Sequence, residues 1–472
     1  MSAPTVEPEF APRLRADLHI EAGPDTFVVT DPLLRRRLDL GAIGDIAAKL
    51  DGRAAGALVA DGARTEQVVR TLLLLHMLEG AGEPERNRLR ASQRGEPLPL
   101  VTLPGARFSC QGSGGCCRNY IFGPLTDADV ARVEALDLTP FALGAGPFYE
   151  SRPRPDGRAD RFLRTTQEGA CVFLEETNRC GLHARYGGTQ KPGFCQLFPL
   201  VAWQTVLGLR VYDGGECVSF PASASEGPSI ESAWEEARGL VPAPALYHPL
   251  VHLAPGAPCD LAWFLPVLDA MVARIEDRAH PVDTLRMLGA LLARAEHALR
   301  RCPISIEGPH DAVKAALAAP APSARPTREL EGRAALVELP RALAEIFAAP
   351  LSQPGRKAPP FTREIVAALL RVAEAADGGA PLPPEDPAGR PLWALSFRQH
   401  LFGQRALVDG RPRAALLRLC LDWLVARAHP AGERAGHVLA ARRLDMPWQP
   451  VHRLLVGAES ALDPVLDALP SL

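Results

Sequence analysis

Apolar positions along this chain follow a short period near the N-terminus and a helical one further on. Phe27, Val28 and Val29 are strand formers, Asp31-Pro32 turns the chain and residues 35–40 return, which predicts a hairpin over 19–40. Three short helical patterns follow. Residues 42–50 stop near Gly52, 54–59 stop near Gly62, and Thr65 is placed to cap 66–78. Residues 80–103 are polar and charged with prolines, the composition of a linker. Further on, a short strand over 120–122 leads to Thr126-Asp127-Ala128-Asp129, a capping box, with Val130, Val133 and Leu136 at helical spacing behind it. Residues 151–160 read as a surface loop, 162–165 and 172–174 as strands flanking Cys171, and 201–211 as a hairpin turning at Gly208.

Beyond about residue 223 the period is helical. Helices are predicted over 229–240, 261–278, 284–301, 311–319, 329–347, 363–376, 392–407, 414–428 and 451–469. Pro266, Pro340 and Pro464 should kink or interrupt three of them. Proline-rich breaks at 319–326, 350–360 and 380–391 read as exposed connectors between helix groups. The expected architecture is α+β, mostly α: a small winged-helix-like unit over 13–82, a loop-rich unit over 105–222 and a helical region over 223–472.

Composition narrows the classes. With 47% hydrophobic and 23% charged residues the chain has the balance of a soluble globular protein. A net charge of -3 gives no electrostatic reason to expect nucleic acid or an anionic membrane as partner. No apolar run reaches the roughly 20 residues that span a bilayer. The first residues lack a secretory pattern, so a cytoplasmic location is expected. In that compartment clustered cysteines point to metal or redox chemistry rather than to disulfides.

The cysteines are unevenly placed. Seven of the ten, Cys110, Cys116, Cys117, Cys171, Cys180, Cys195 and Cys217, fall between 110 and 217. Cysteine binds metals as thiolate, and four thiolates suffice for a tetrahedral zinc or an iron–sulfur cluster. Gly112, Gly114 and Gly115 let the first loop fold tightly and aim backbone amides at sulfur. His183 is a possible nitrogen ligand, set against its more ordinary place as a surface or core histidine. Arg118, Arg185 and Lys191 can offset thiolate charge or contact an anionic substrate, or serve only as solvated charge. Cys259, Cys302 and Cys420 are isolated, and Cys420 among Leu416, Leu417, Leu419 and Leu421 reads as core. No Ser/His/Asp triad, carboxylate pair or glycine-rich nucleotide motif stands out.

Phe-Ser-Cys-Gln-Gly-Ser-Gly-Gly-Cys-Cys-Arg from 108, Leu125-Thr126-Asp127, the ACVFLEETNRCGLH stretch from 170 and KPGFCQLFPL from 191 together resemble the YkgJ-type cysteine-cluster family. The resemblance spans about residues 107–200 and implies a zinc- or iron-chelating domain, with zinc, iron or an iron–sulfur cluster as cofactor. Two positions depart from that family's pattern: Ser113 replaces the second cysteine of CxxCxxCC, and Lys191 replaces an arginine. A serine hydroxyl is a poor partner for a thiolate-preferring metal, which leaves three alternatives: four of the other candidates close the site, it binds weakly, or it stays open at one position. The layout is also similar to flagellin lysine-N-methylases, which carry a related cluster followed by helices. That similarity implies modification of a protein substrate. Residues 15–80, with the Leu50-Asp51-Gly52 turn, resemble PqqD-like winged-helix domains, which implies a peptide or protein partner at the N-terminal unit. The alternative to an enzyme is a structural-metal module for peptide or protein interaction.

Overall fold

The computed structural model describes residues 9–472 except 61, 120–121, 142, 144–145, 155, 215–216, 218–219, 224–225, 239–245, 247–248, 254–257, 320–327, 350–361, 404–409, 430–431 and 433–448. The protein is mixed α and β, about 52% helix and 14% strand, with small sheets among many helices. No helix among the described residues is long and apolar enough to cross a membrane.

The N-terminal hairpin gains a third strand. β1 (His19–Ala22), β2 (Phe27–Asp31) and β3 (Arg36–Asp39) form an antiparallel meander in that order. Three helices pack on it: α1 (Gly44–Ala47), α2 (Ala55–Val59) and α3 (Ala63–Leu74). Their core joins Phe27 and Val29 to Ile46, Leu58, Val69, Leu72 and Leu73. Thr65 does not cap α3. The helix starts three residues earlier than expected, at Ala63 behind Gly62, and Thr65 is buried in its first turn. A buried ion pair between Arg15 and Asp31 (2.8 Å) ties the leading segment to the sheet, and the same Arg15 nitrogen donates to the His76 carbonyl (2.9 Å).

The stretch predicted as a linker is structured. α4 (Glu83–Gln93) begins with a proline in its first turn, where a missing amide is harmless, and buries Arg86 and Leu89. β4 (Leu100–Thr102) then pairs in parallel with a strand a hundred residues later. Local polarity cannot report such a partner.

Past the first cysteine loop come α5 (Gly115–Asn119) and α6 (Asp127–Glu134), the latter with the expected box of Thr126 and Asp129. The strand expected over 120–122 lies largely outside the described residues. Residues 151–160, expected as a loop, belong mostly to the hairpin of β5 (Tyr149–Pro153) and β6 (Ala159–Leu163), with Tyr149 opposite Leu163 and Pro153 opposite Ala159. No strand forms over 172–174; two isolated bridges, Thr165 to Cys171 and Leu174 to Cys180, close turns there instead. α7 (Gly181–Tyr186) and α8 (Gly193–Leu197) follow. The predicted hairpin is β7 (Leu200–Thr205) with β8 (Gly208–Asp213). Gly208 opens the return strand at φ 147°, and a Cβ there would sit 2.5 Å from the Pro99 carbonyl, because β4 runs alongside.

The helical region forms α9 (Phe220–Ser223), α10 (Ile230–Ala237), α11 (Leu261–Ala273), α12 (Pro281–Arg300), α13 (Gly308–Ala318), α14 (Glu329–Ala348) and α15 (Thr362–Ala376). It closes with α16 (Arg390–Phe402), α17 (Pro412–Ala428), α18 (Gln449–Gly457) and α19 (Leu462–Ala468). Pro266 and Pro340 sit inside continuous helices, while Pro464 lies in the first turn of α19. α17 is buried nearly all round. The large core of this region also takes in β7, β8 and, from the N-terminal part, Leu33, Leu34 and Leu74. Asp260, which caps α11, meets Arg36 at 3.2 Å in a buried pair, so the meander is fastened to the helices by charge as well as by apolar contact.

Candidate metal centre

Around the first cysteine loop the apolar core is thin. It comprises nine buried residues among those described: Leu125, Val130, Val133, Phe141, Phe148, Leu163, Cys171, Phe173 and Leu182. Cys117, Cys180 and Cys195 pack against its edge. Small lobes with so little apolar burial usually need a second source of stability, such as disulfides or metal. All ten cysteines are free thiols.

The loop is shaped by glycine. Gly112 and Gly114 have φ of 66° and 65°, a conformation most side chains avoid, and Gly114 fits against the turn at Asn178. Ser113 Oγ accepts from the Gly115 amide (3.5 Å) at the start of α5, which puts Cys116 and Cys117 on the first turn of that helix. The Arg118 guanidinium donates to Asn178 Oδ1, and the Cys171 amide donates to the Cys117 carbonyl (2.6 Å). Two stretches far apart in the sequence are thereby laced together. From the other side, Gly193 at the start of α8 donates to buried Asp129 Oδ1 (2.8 Å), which sets the helix that carries Cys195.

The outcome is one cavity of about 720 Å³ lined by all seven predicted cysteines, together with Ser113, His183, Lys191 and the rings of Phe108, Phe122, Phe173 and Phe198. Arg118 and Arg185 do not line it, and Arg185 pairs with Glu175 at 3.1 Å. Cys259, Cys302 and Cys420 are fully buried in the large core, Cys420 as its leucine neighbours suggested. Cys110 is exposed, and Cys217 packs against the helical core.

The thiols act on one another. Cys116 and Cys117 have their sulfurs 3.8 Å apart. The contact with Cys117, its backbone amide and the charge of Lys191 lower the Cys116 thiol against the opposing effect of burial, while the same contact and burial raise Cys117. The pair therefore gives up one proton readily and holds the other. Burial pushes Cys171 up to about 12, with Cys180 and Cys116 adding to it. Cys195 is raised by burial and by Cys171, Cys180 and Cys116, against Lys191. His183 is lowered by burial and by the charge of Lys191. Burial alone would raise Asp129, but the amides of Gly193 and Thr126, the Thr126 hydroxyl and Arg132 outweigh it and hold this carboxyl below its usual range.

The donor set has the chemistry of a soft-metal site. Two thiolates about 2.3 Å from one tetrahedral ion lie about 3.8 Å apart, the separation of Cys116 and Cys117, which is also an ordinary sulfur contact. As the side chains stand, no group of three His, Cys, Asp or Glu among the described residues is gathered closely enough to hold an ion. The cavity thus brings thiols and an imidazole to one place without gathering three of them around a common point among the described residues. Sequence reading found the cysteines but missed Asp129 as a support for Cys195, since the Thr126–Asp129 box by itself signals only a helix start. No family model, curated protein or solved structure matches this chain.

Proposed function

We propose that the cysteine-lined cavity is a thiolate metal centre, holding zinc, iron or an iron–sulfur cluster, in a protein that binds or modifies a peptide or protein substrate. The observation that carries this reading is convergence: seven cysteines from four separate stretches line one cavity, and the three outside the cluster do not. Cys116, Cys117, Cys171 and Cys195 have shifted thiols, Cys180 lies close enough to contribute to three of those shifts, and these five are the set from which the ligands would come. Burial and the neighbouring thiols oppose ionisation of Cys117, Cys171 and Cys195, a penalty that a bound cation would remove. When bound, zinc would supply Lewis acidity or structural cross-linking, and iron–sulfur would supply electron transfer. Lys191 would balance thiolate charge, and the aromatic walls would keep water from the sulfurs.

The exposed β1 strand at the edge of the N-terminal meander is the surface proposed for a peptide partner. A purely structural metal is the second reading, and the thin core around the cysteines favours it. Elemental analysis of anaerobically purified protein tests the common premise. Stoichiometric zinc or iron, lost in Cys116→Ser and Cys195→Ser but kept in Cys420→Ser, is the expected result. Colourless wild-type protein containing neither metal would refute it. Chelation that lowers the unfolding temperature without abolishing a substrate-dependent activity would favour the structural reading.

A further inference from the structure

Asp129 is 1% exposed, and its two carboxylate oxygens take four donors. Oδ2 accepts from the Thr126 amide (3.1 Å), which with the Asp129 amide donating to Thr126 Oγ1 (3.0 Å) makes the capping box, and also from the Thr126 hydroxyl (2.8 Å). Oδ1 accepts from the Gly193 amide (2.8 Å) and from Arg132 Nη1 (3.0 Å), and capping requires neither. Arg132 Nη1 also donates to the Lys191 carbonyl (3.2 Å). Gly193 opens α8, whose N-cap residue is Pro192, with no side chain able to accept a hydrogen bond. Asp129 supplies the missing acceptor from α6, so one buried carboxylate serves the starts of two helices. Because α8 is only five residues long and Cys195 lies within its first turn, the orientation of α8 decides where the Cys195 sulfur points.

We propose that Asp129, assisted by Arg132, is the positioning residue of the cysteine cavity: it fixes the 191–193 turn and so sets Cys195 among Cys116, Cys171 and Cys180. The geometric statement stands on the hydrogen bonds alone; its consequence for metal rests on the function proposed above. Outer groups of this kind tune affinity by orienting the ligands.

The test uses full-length protein and two readouts. Metal-free protein is labelled with N-ethylmaleimide and the rate at each cysteine is read by peptide mass spectrometry; zinc and cobalt(II) are then titrated separately. Asp129→Asn cannot accept all four donors, and a severalfold rise in labelling at Cys195 is expected, with Cys420 still protected. Zinc affinity should fall by about 10–100-fold, with a changed cobalt–thiolate absorption band. Thr126→Ala removes the capping hydroxyl but leaves the bonds to Gly193 and Arg132, so it should match wild type in both readouts. Arg132→Gln, which drops the bond to Lys191, serves if Asp129→Asn exposes Cys420 through unfolding, and should label Cys195 faster than wild type. Wild-type labelling of Cys195 in a folded Asp129→Asn or Arg132→Gln variant overturns the proposal. So does a Thr126→Ala variant that reproduces the effect, since capping alone would then explain it. If wild type takes up no metal but Asp129→Asn still releases Cys195, the metal reading fails while the positioning role stands.

Discussion

Replacing Gly114 with alanine asks whether the first cysteine loop is held against the Cys171–Cys180 segment by backbone shape. Gly114 has φ of 65°, and an added Cβ would lie 3.0 Å from the Asn178 carbonyl, 3.1 Å from Asn178 Cβ and 3.3 Å from Leu174 Cδ1. An L-residue in the left-handed region costs about 1–2 kcal/mol. Asn178 cannot easily retreat: its own φ is 63°, its amide donates to the Glu175 carbonyl (3.0 Å), and Arg118 holds its side chain. Overpacking should therefore add about 1–2 kcal/mol more. Gly112 is the internal control. It has nearly the same φ, 66°, but its Cβ would meet only the Arg179 side chain, nearest at 3.2 Å and able to swing away. Gly112→Ala should thus cost the conformational part alone, about 1–2 kcal/mol. The difference of about 1.4 kcal/mol corresponds to about tenfold in the opening equilibrium. Native-state hydrogen exchange reads it at the Cys171 and Gly181 amides, which bond to the Cys117 and Phe173 carbonyls. Faster exchange in Gly114→Ala than in Gly112→Ala, by about that factor, is expected. Equal exchange in the two variants would refute the packing argument.

Two further predictions concern the scaffold. Arg15→Met leaves Asp31 buried without its cation, the pair being 3% and 4% exposed, and should destabilise the N-terminal part by about 3–5 kcal/mol, measured by urea unfolding. A loss under 1 kcal/mol, as for an exposed pair, would contradict that. Glu296 is buried in α12, and burial pushes its carboxyl up to about 7 from 4.5, with Arg413 at 3.4 Å opposing only in part. Between those two values the folded state keeps a proton that the unfolded chain has released. Stability should therefore fall as pH rises through the window, by on the order of 3 kcal/mol, and level off above it. In Glu296→Gln this component of the pH dependence should vanish; an unchanged difference in unfolding free energy between the ends of the window would show that Glu296 is not its source.

The parts of this protein that were legible in sequence are those decided by neighbours along the chain. The Thr126–Asp129 box, the β7–β8 hairpin and most helices beyond 223 rest on capping residues, turns and apolar period, all local. The concentration of seven cysteines among glycines was likewise visible as composition. Misreadings occurred where a distant partner outweighed local character. Residues 80–103 looked like a linker because α4 shows mostly charge, yet its Arg86 and Leu89 are buried, and β4 exists only because β8 returns beside it. The 151–160 segment is rich in charge and proline, but hairpin pairing makes strand of both its ends, 151–153 and 159–160.

By itself, then, the sequence determined which residue types could do chemistry here and that they were clustered. Only the tertiary structure decided that all seven cysteines line one cavity, that Ser113 serves the start of α5, and that Asp129 reaches across 64 residues to the start of the helix that carries Cys195. The physical reason is that thiol chemistry is a property of the residue, whereas burial, mutual repulsion and hydrogen-bonded orientation belong to contacts that form only when distant segments pack.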